Sequence, residues 1–189
     1  MPHIFAILLI ALGLAAPLAA APRLYSLQPE GSTVSFSTNF GPDQITGSFP
    51  VQTADLSLDF DSLANSRIAV TLDVARANAS FPFAAQALKG PKVLDADAHP
   101  LITFQSTAVR RKGADAEVDG TLTIRGNARP VTLLATLFRQ KGQAEGDLSL
   151  LTIRLVGTVN RSEFGATGWS DLVSDEVRLD ILARIAERN

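Results

Sequence analysis

The sequence predicts an all-β domain, and three observations carry the prediction. Apolar and polar residues alternate at a period of two through segment after segment, the pattern of half-buried strands. The segments recur every 8–12 residues between clusters of Gly, Pro, Asn, Asp and Ser. No long amphipathic helix, internal repeat or low-complexity linker interrupts them, and a chain of 189 residues fits one domain with a sizeable core.

Taken in order, the chain opens on an apolar run at residues 4–14, followed by Pro17 and Leu18-Ala19-Ala20-Ala21. The run is too short to span a bilayer comfortably and no stop-transfer pattern follows it. It reads as a signal peptide at residues 1–20. Cleavage after Ala20 keeps Pro22 away from the cut and sends residues 21–189 to the periplasm or the exterior. No cysteine is present, which excludes a lipoprotein anchor, disulfides and thiol chemistry.

Strands then follow at 23–27 and 33–40, the latter with Val34, Phe36, Thr38 and Phe40 on one face. After the turn at Gly41-Pro42-Asp43, residues Ile45, Gly47, Phe49 and Val51 share a face, as do Leu56, Leu58 and Phe60. A loop at 61–66 leads to the alternating Ile68, Val70, Leu72 and Val74. The rhythm breaks at 75–100, where residues 84–89 are rich in helix formers, Pro82 stands near their start and Gly90-Pro91 ends them. A short helix inside a long connection is expected there, either a lid or a plug for one barrel end.

Strands resume at 101–109, 117–124, 131–139 and 148–160. Residues 161–171 hold two glycines and an aromatic pair without strand period, and Val177, Leu179, Ile181, Ala183 and Ile185 alternate in a final strand. Residues 120–133 (GTLTIRGNARPVTL) form the clearest hairpin. Leu122 and Ile124 lead in, Gly126-Asn127-Ala128 reverse the chain, and Val131 and Leu133 lead out. Arg125 and Arg129 predict a wet, basic tip, and Pro130 belongs at a strand start or an edge. About eight or nine strands suit either a closed barrel, which has no exposed edges, or a two-sheet sandwich.

The inventory for catalysis is thin. Beyond the signal peptide His99 is the single histidine, and it precedes Pro100 at a strand entrance, where a structural role outweighs a basic one. Asp95 and Asp97 read as solvated loop charges. No phosphate-cradling glycine loop, cofactor motif or metal-ligand spacing is present. A net charge of −2 excludes the basic field that nucleic acid demands. The apolar inventory is rich, with ten Phe beside one Trp and one Tyr.

LTIRGNARPVTL resembles the LTIRG-x-x-(K/R)-PVTL hairpin of the YceI-like family of periplasmic polyisoprenoid-binding proteins. Residues 32–49 (STVSFSTNFGPDQITGSF) resemble its opening hairpin, 99–106 (HPLITFQS) its yP-x-I-x-F-x-S strand, and 161–165 (RSEFG) its RSDFG signature. The chain departs from the pattern in GNARPV, in lacking the first hairpin's histidine, and in AAQALKGPKVLDADAHP at 84–100.

The resemblance implies a single antiparallel, eight-stranded, lipocalin-like β-barrel with a short helix and long loop in the 75–100 connection. It also implies a binding protein rather than an enzyme. The barrel would hold a polyisoprenoid or isoprenoid-quinone lipid in an apolar lumen, without cofactor or nucleic acid, and meet a membrane or membrane protein transiently during exchange. Candidate lining residues are Val34, Phe36, Phe49, Leu58, Phe60, Val70, Leu72, Phe81, Phe83, Ile102, Phe104, Leu122, Ile124, Leu133, Phe164 and Trp169. Each aromatic has a core-filling alternative. Within RSEFG, an Arg161–Glu163 pair and a Phe164 anchor are expected. A solid barrel serving as an interaction module, and a lipid-modifying enzyme using His99, are the alternatives.

Overall fold

The structure, a computed structural model, describes residues 21–139 and 142–188. The predicted signal peptide lies outside the described residues. The elements are β1 (Arg23–Leu27), β2 (Thr33–Phe40), β3 (Asp43–Ser48), β4 (Val51–Leu58), β5 (Arg67–Asp73), β6 (Asn78–Ala79), α1 (Pro82–Lys89), β7 (Leu101–Lys112), β8 (Asp115–Ile124), β9 (Asn127–Arg139), β10 (Leu150–Asn160) and β11 (Glu176–Glu187). Short 3₁₀ turns at Leu63–Asn65 and Arg161–Phe164 complete them.

Eight strands close a ring in the order β1-β4-β5-β7-β8-β9-β10-β11, and β1 closes it by pairing with both β4 and β11. Every pairing is antiparallel, and tight hairpins join β7 to β8 and β8 to β9. On the side away from β10, β11 serves two partners along its length: Leu182 to Arg178 pair with Thr33 to Ser37 of β2, and Ile185 to Glu187 pair with β1. The hairpin of β2 and β3 therefore extends the barrel wall, and β6 adds two residues to its edge.

Two β-bulges set which side chains point inward. On β4 the register shifts between Val51 and Thr53, so the inward set passes from Val51 to Ala54, Leu56 and Leu58. On β7 the shift lies between Ser106 and Ala108, moving the inward set from Ile102 and Phe104 to Val109 and Arg111. An extra residue flips the side-chain parity of everything beyond it. Ser106, at the second bulge, accepts the Ile68 N–H on its hydroxyl at 2.9 Å.

The 120–133 hairpin is present with its reversal one residue earlier than the sequence suggests. Ile124 pairs with Asn127, so the two-residue loop is Arg125-Gly126, at φ +50° and +72°. Both central residues are left-handed, the requirement of a type I′ turn, and Arg125 adopts a backbone more usual for Asn or Gly. The tip is not simply wet. The Arg125 Nη1 donates to the carbonyls of Val93 at 2.9 Å and Gly165 at 2.8 Å. Pro130 lies inside β9 in the part that pairs with β8 and not β10, so it occupies a local edge.

Both irregular segments cover the same end of the barrel. α1 begins at Pro82, whose missing N–H costs nothing at a first helical position, and ends where the Gly90 N–H returns to the Ala87 carbonyl. Val74, Leu94 and Ala96 of this connection pack with Ile102, Val118, Leu122, Val131, Leu133 and Phe164 in one buried cluster. The other end holds a second cluster around Tyr25 with Leu56, Leu58, Leu151 and Ile185. The fully buried Tyr25 stacks edge-on to Phe60 at 6.0 Å and donates its hydroxyl to the Leu148 carbonyl at 3.0 Å.

Candidate functional site

Between the two clusters the barrel encloses a cavity of about 960 Å³. That is near the top of the roughly 300–1,000 Å³ range of small-molecule sites. The alternation along the strands becomes its wall. Val34 and Phe36 reach it from β2, Phe49 from the β3–β4 connection, Leu58 from β4, and Phe60 from just beyond β4. Val70 and Leu72 come from β5, Ile102 and Phe104 from β7, Leu122 and Ile124 from β8, and Leu133 from β9. Phe81 and Phe83 come from the start of α1, Phe164 from the 3₁₀ turn, and Trp169 from the loop after it. All the predicted lining residues thus lie on one cavity wall.

Two rings on that wall rest in notches cut by glycine. Phe36 stands opposite Gly47 in the β2–β3 ladder, and a Cβ at Gly47 would collide with its Cζ. Phe104 lies over Gly120 in the same way, its ring edge filling the place a Cβ would occupy. Phe36 also meets Phe49 at a ring distance of 5.2 Å. Glycine here lowers the wall so that a large ring can lie flat within it.

Aliphatic residues outside the predicted set complete the wall. Ile153, Leu155 and Val159 of β10, and Leu179 and Ile181 of β11, also face the cavity. The same alternation that marks the other strands marks these. Phe40, Ile45 and Leu172 join the wall at the end covered by α1. The opposite end carries Asp61, Arg111, Asp115 and Arg139 instead.

RSEFG works differently from expectation. Glu163 accepts from Asn160 at 3.2 Å and does not pair with Arg161. Arg161 is buried and donates to four carbonyls of the following loop: Ala166 at 2.6 Å, Gly168 at 2.7 Å, Val173 at 2.9 Å and Ser174 at 3.0 Å. Burial lowers the pKa of this guanidinium from its ordinary value, and Asp175 opposes the shift. Asp175 in turn holds Ser162, accepting from its N–H at 2.8 Å and its hydroxyl at 2.7 Å. Phe164, 1% exposed, anchors the turn in the core, and Gly165 leaves it at φ +76°.

His99 packs beside the turn at Gly126 and is not among the residues facing the cavity. No group of three or more His, Cys, Asp or Glu is disposed to hold a metal among the described residues.

A model of the YceI-like domain matches residues 25–185. The chain belongs to the YceI-like family. Relatives include UPF0312 proteins of Vibrio parahaemolyticus, 28% identical over 67% of this chain and 69% of theirs, and of Vibrio cholerae, 30% identical over 67% and 71%. Among solved structures, BcnA of Burkholderia cenocepacia superposes with a TM-score of 0.75 at 25% identity, covering 84% of this chain and 99% of its own. A polyisoprenoid-binding domain from Saccharophagus degradans shares the fold at a TM-score of 0.63 and 12% identity, over 88% and 99%. The YceI-like barrel thus confirms the closed eight-stranded fold over a sandwich.

Proposed function

We propose that the chain is a lipid-binding protein that holds the tail of a polyisoprenoid or isoprenoid-quinone in its barrel. The apolar cavity of about 960 Å³ inside the barrel carries this reading. A solid barrel would need a packed interior at this place. Burying each methylene of a tail contributes about 0.8 kcal/mol, and a pre-formed cavity limits the ordering a flexible chain must undergo. The polyisoprenoid-binding domain among the structural neighbours agrees in ligand class. With His99 off the wall, and Arg161, the charged lining residue at the α1 end, engaged by four backbone carbonyls, the lining supports enclosure of an apolar tail.

The apolar run at 4–14 supports export and a periplasmic or secreted site of action. The lipid would then be taken from and returned to a membrane or a membrane protein. Native mass spectrometry of protein purified from its host, followed by organic extraction, tests the ligand. An isoprenoid mass released by extraction is the expected result, and protein repeatedly free of lipid overturns the reading. N-terminal sequencing of the same material should begin near Ala21, and Met1 or Pro2 as first residue refutes processing.

A further inference from the structure

Eight large apolar side chains are exposed among the described residues, and four of them gather at one mouth of the cavity. Phe81 and Phe83, at the start of α1, are 37% and 66% exposed, and Trp169 and Leu172, in the loop after Phe164, are 41% and 56%. Each of the four also faces the cavity. They belong to one ring of chain. The Ser80 N–H donates to the Thr46 carbonyl at 2.7 Å, joining the helix start to the β2–β3 hairpin. The Gly41 N–H donates to the Leu172 carbonyl at 3.0 Å, joining that hairpin to the loop. The Gly168 N–H donates to the Lys92 carbonyl at 2.8 Å, returning the ring to the helix side.

This exposure is built into a fixed loop. Trp169 stands at φ +54°, a backbone region that bulky residues enter at a cost. Its carbonyl accepts the N–H groups of Leu172 and Val173, and Arg161 grips the carbonyls of Gly168 and Val173 on either side. A framework this determined holds an indole and a leucine out of the barrel at its opening. Lys89 at the end of α1 and Lys92, whose carbonyl meets Gly168, are matched in charge by Asp43, paired with Phe40, and Asp171, between Trp169 and Leu172.

We infer that this mouth is a membrane-docking face: Phe81, Phe83, Trp169 and Leu172 enter the interface of an uncharged bilayer and open the cavity onto its acyl chains. The inference rests on the lipid-binding reading above, because a tail insoluble in water needs a dry path between cavity and bilayer. Tryptophan favours the membrane interface, and apolar side chains beside it supply the depth. With charges balanced, attachment is driven by apolar area and resists salt.

Trp169 is the sole tryptophan, so its fluorescence reports on this face alone. Mixing the purified protein with phosphatidylcholine vesicles should shift its emission to the blue, and lipids brominated along their acyl chains should quench it. Binding should survive a change from about 0.01 M to about 1 M salt, over which the screening length falls from roughly 30 to 3 Å. Phe83→Ser and Leu172→Ser should each weaken vesicle binding roughly tenfold. An unchanged, unquenched Trp169 in protein that does release lipid on extraction overturns the docking face and leaves the lipid-binding reading standing. Protein with no extractable lipid fails that reading instead. A shift that needs anionic lipid and vanishes with salt, or one that tracks protein concentration without vesicles, overturns the proposal in favour of charge-driven contact or self-association.

Discussion

At one end of the barrel, two irregular segments are stitched to the wall by arginines donating to backbone carbonyls. The other end holds a buried apolar cluster around Tyr25, with charged side chains beside it on the cavity wall. Arg125 ties both covering segments to the β8–β9 hairpin, and Arg161 folds the loop bearing Trp169 around its own guanidinium. The difference teaches where in this barrel a fixed shape is enforced. An apolar cluster tolerates rearrangement, whereas an arginine with four fixed acceptors specifies one loop conformation. The stitched end is the one whose geometry matters to an opening.

The largest break in this contrast is Arg161→Met. It strands the buried carbonyls of Ala166 and Gly168, costly to leave unbonded, and frees the half-buried carbonyl of Val173, while that of Ser174 still accepts from Thr38. A loss of about 3 kcal/mol or more in denaturant unfolding is expected, together with altered Trp169 emission. Arg161→Lys retains the charge but not the fork, and should recover only part of the loss.

Next is Leu94→Ala, which opens the apolar cluster beneath α1 and should cost about 2–4 kcal/mol. It should leave Trp169 emission closer to wild type than Arg161→Met does, which separates packing from stitching. Gly126→Val should cost about 1–3 kcal/mol, because a β-branched residue would stand at φ +72°. An unchanged thermal midpoint would refute the turn.

Phe104→Leu is smaller still. A solid core would lose on the order of 1 kcal/mol, whereas a ring lining a cavity should cost less. Added isoprenoid lipid should raise the midpoint of both wild type and variant. If it raises neither, the cavity does not hold that lipid.

The smallest effect belongs to the Tyr25 end. The Asn65 side-chain amide, then the Ser62 and Asp61 N–H groups, hold the Asp59 carboxyl below the usual carboxylate range. A depressed folded value means the stabilisation is present above the ordinary carboxylate pKa. It is lost as pH falls through that lowered value. Asp59→Asn should therefore lower stability at pH 7, where that stabilisation is present, and flatten the acid limb below about pH 4.

The barrel is legible in the sequence because alternation survives in the wall strands, from Val34 and Phe36 on β2 to Ile68, Val70 and Leu72 on β5. The predicted wall residues meet in one cavity because closure turns a shared face into a shared interior. What escapes the sequence is non-local or backbone-borne. Nothing near Arg161 signals that its acceptors lie 5 to 13 residues ahead. Arg125 carries no mark of a left-handed residue, so the pattern of residue types puts the reversal one position late. The bulges at 51–53 and 106–108 leave no compositional trace, and they decide which half of each strand faces inward.

The unpaired stretch of β9 has a mechanical consequence. β9 bonds to β10 only from Leu134 to Arg139, so residues 127–133 are held to β8 on one side and to the Arg161–Phe164 turn through Asn127. Widening the wall there breaks no ladder bond between β9 and β10. Pro130, with no N–H to offer, keeps that edge from recruiting a foreign strand. The barrel thus carries one seam, beside residues 127–133 of β9, that side-chain packing closes in place of a ladder.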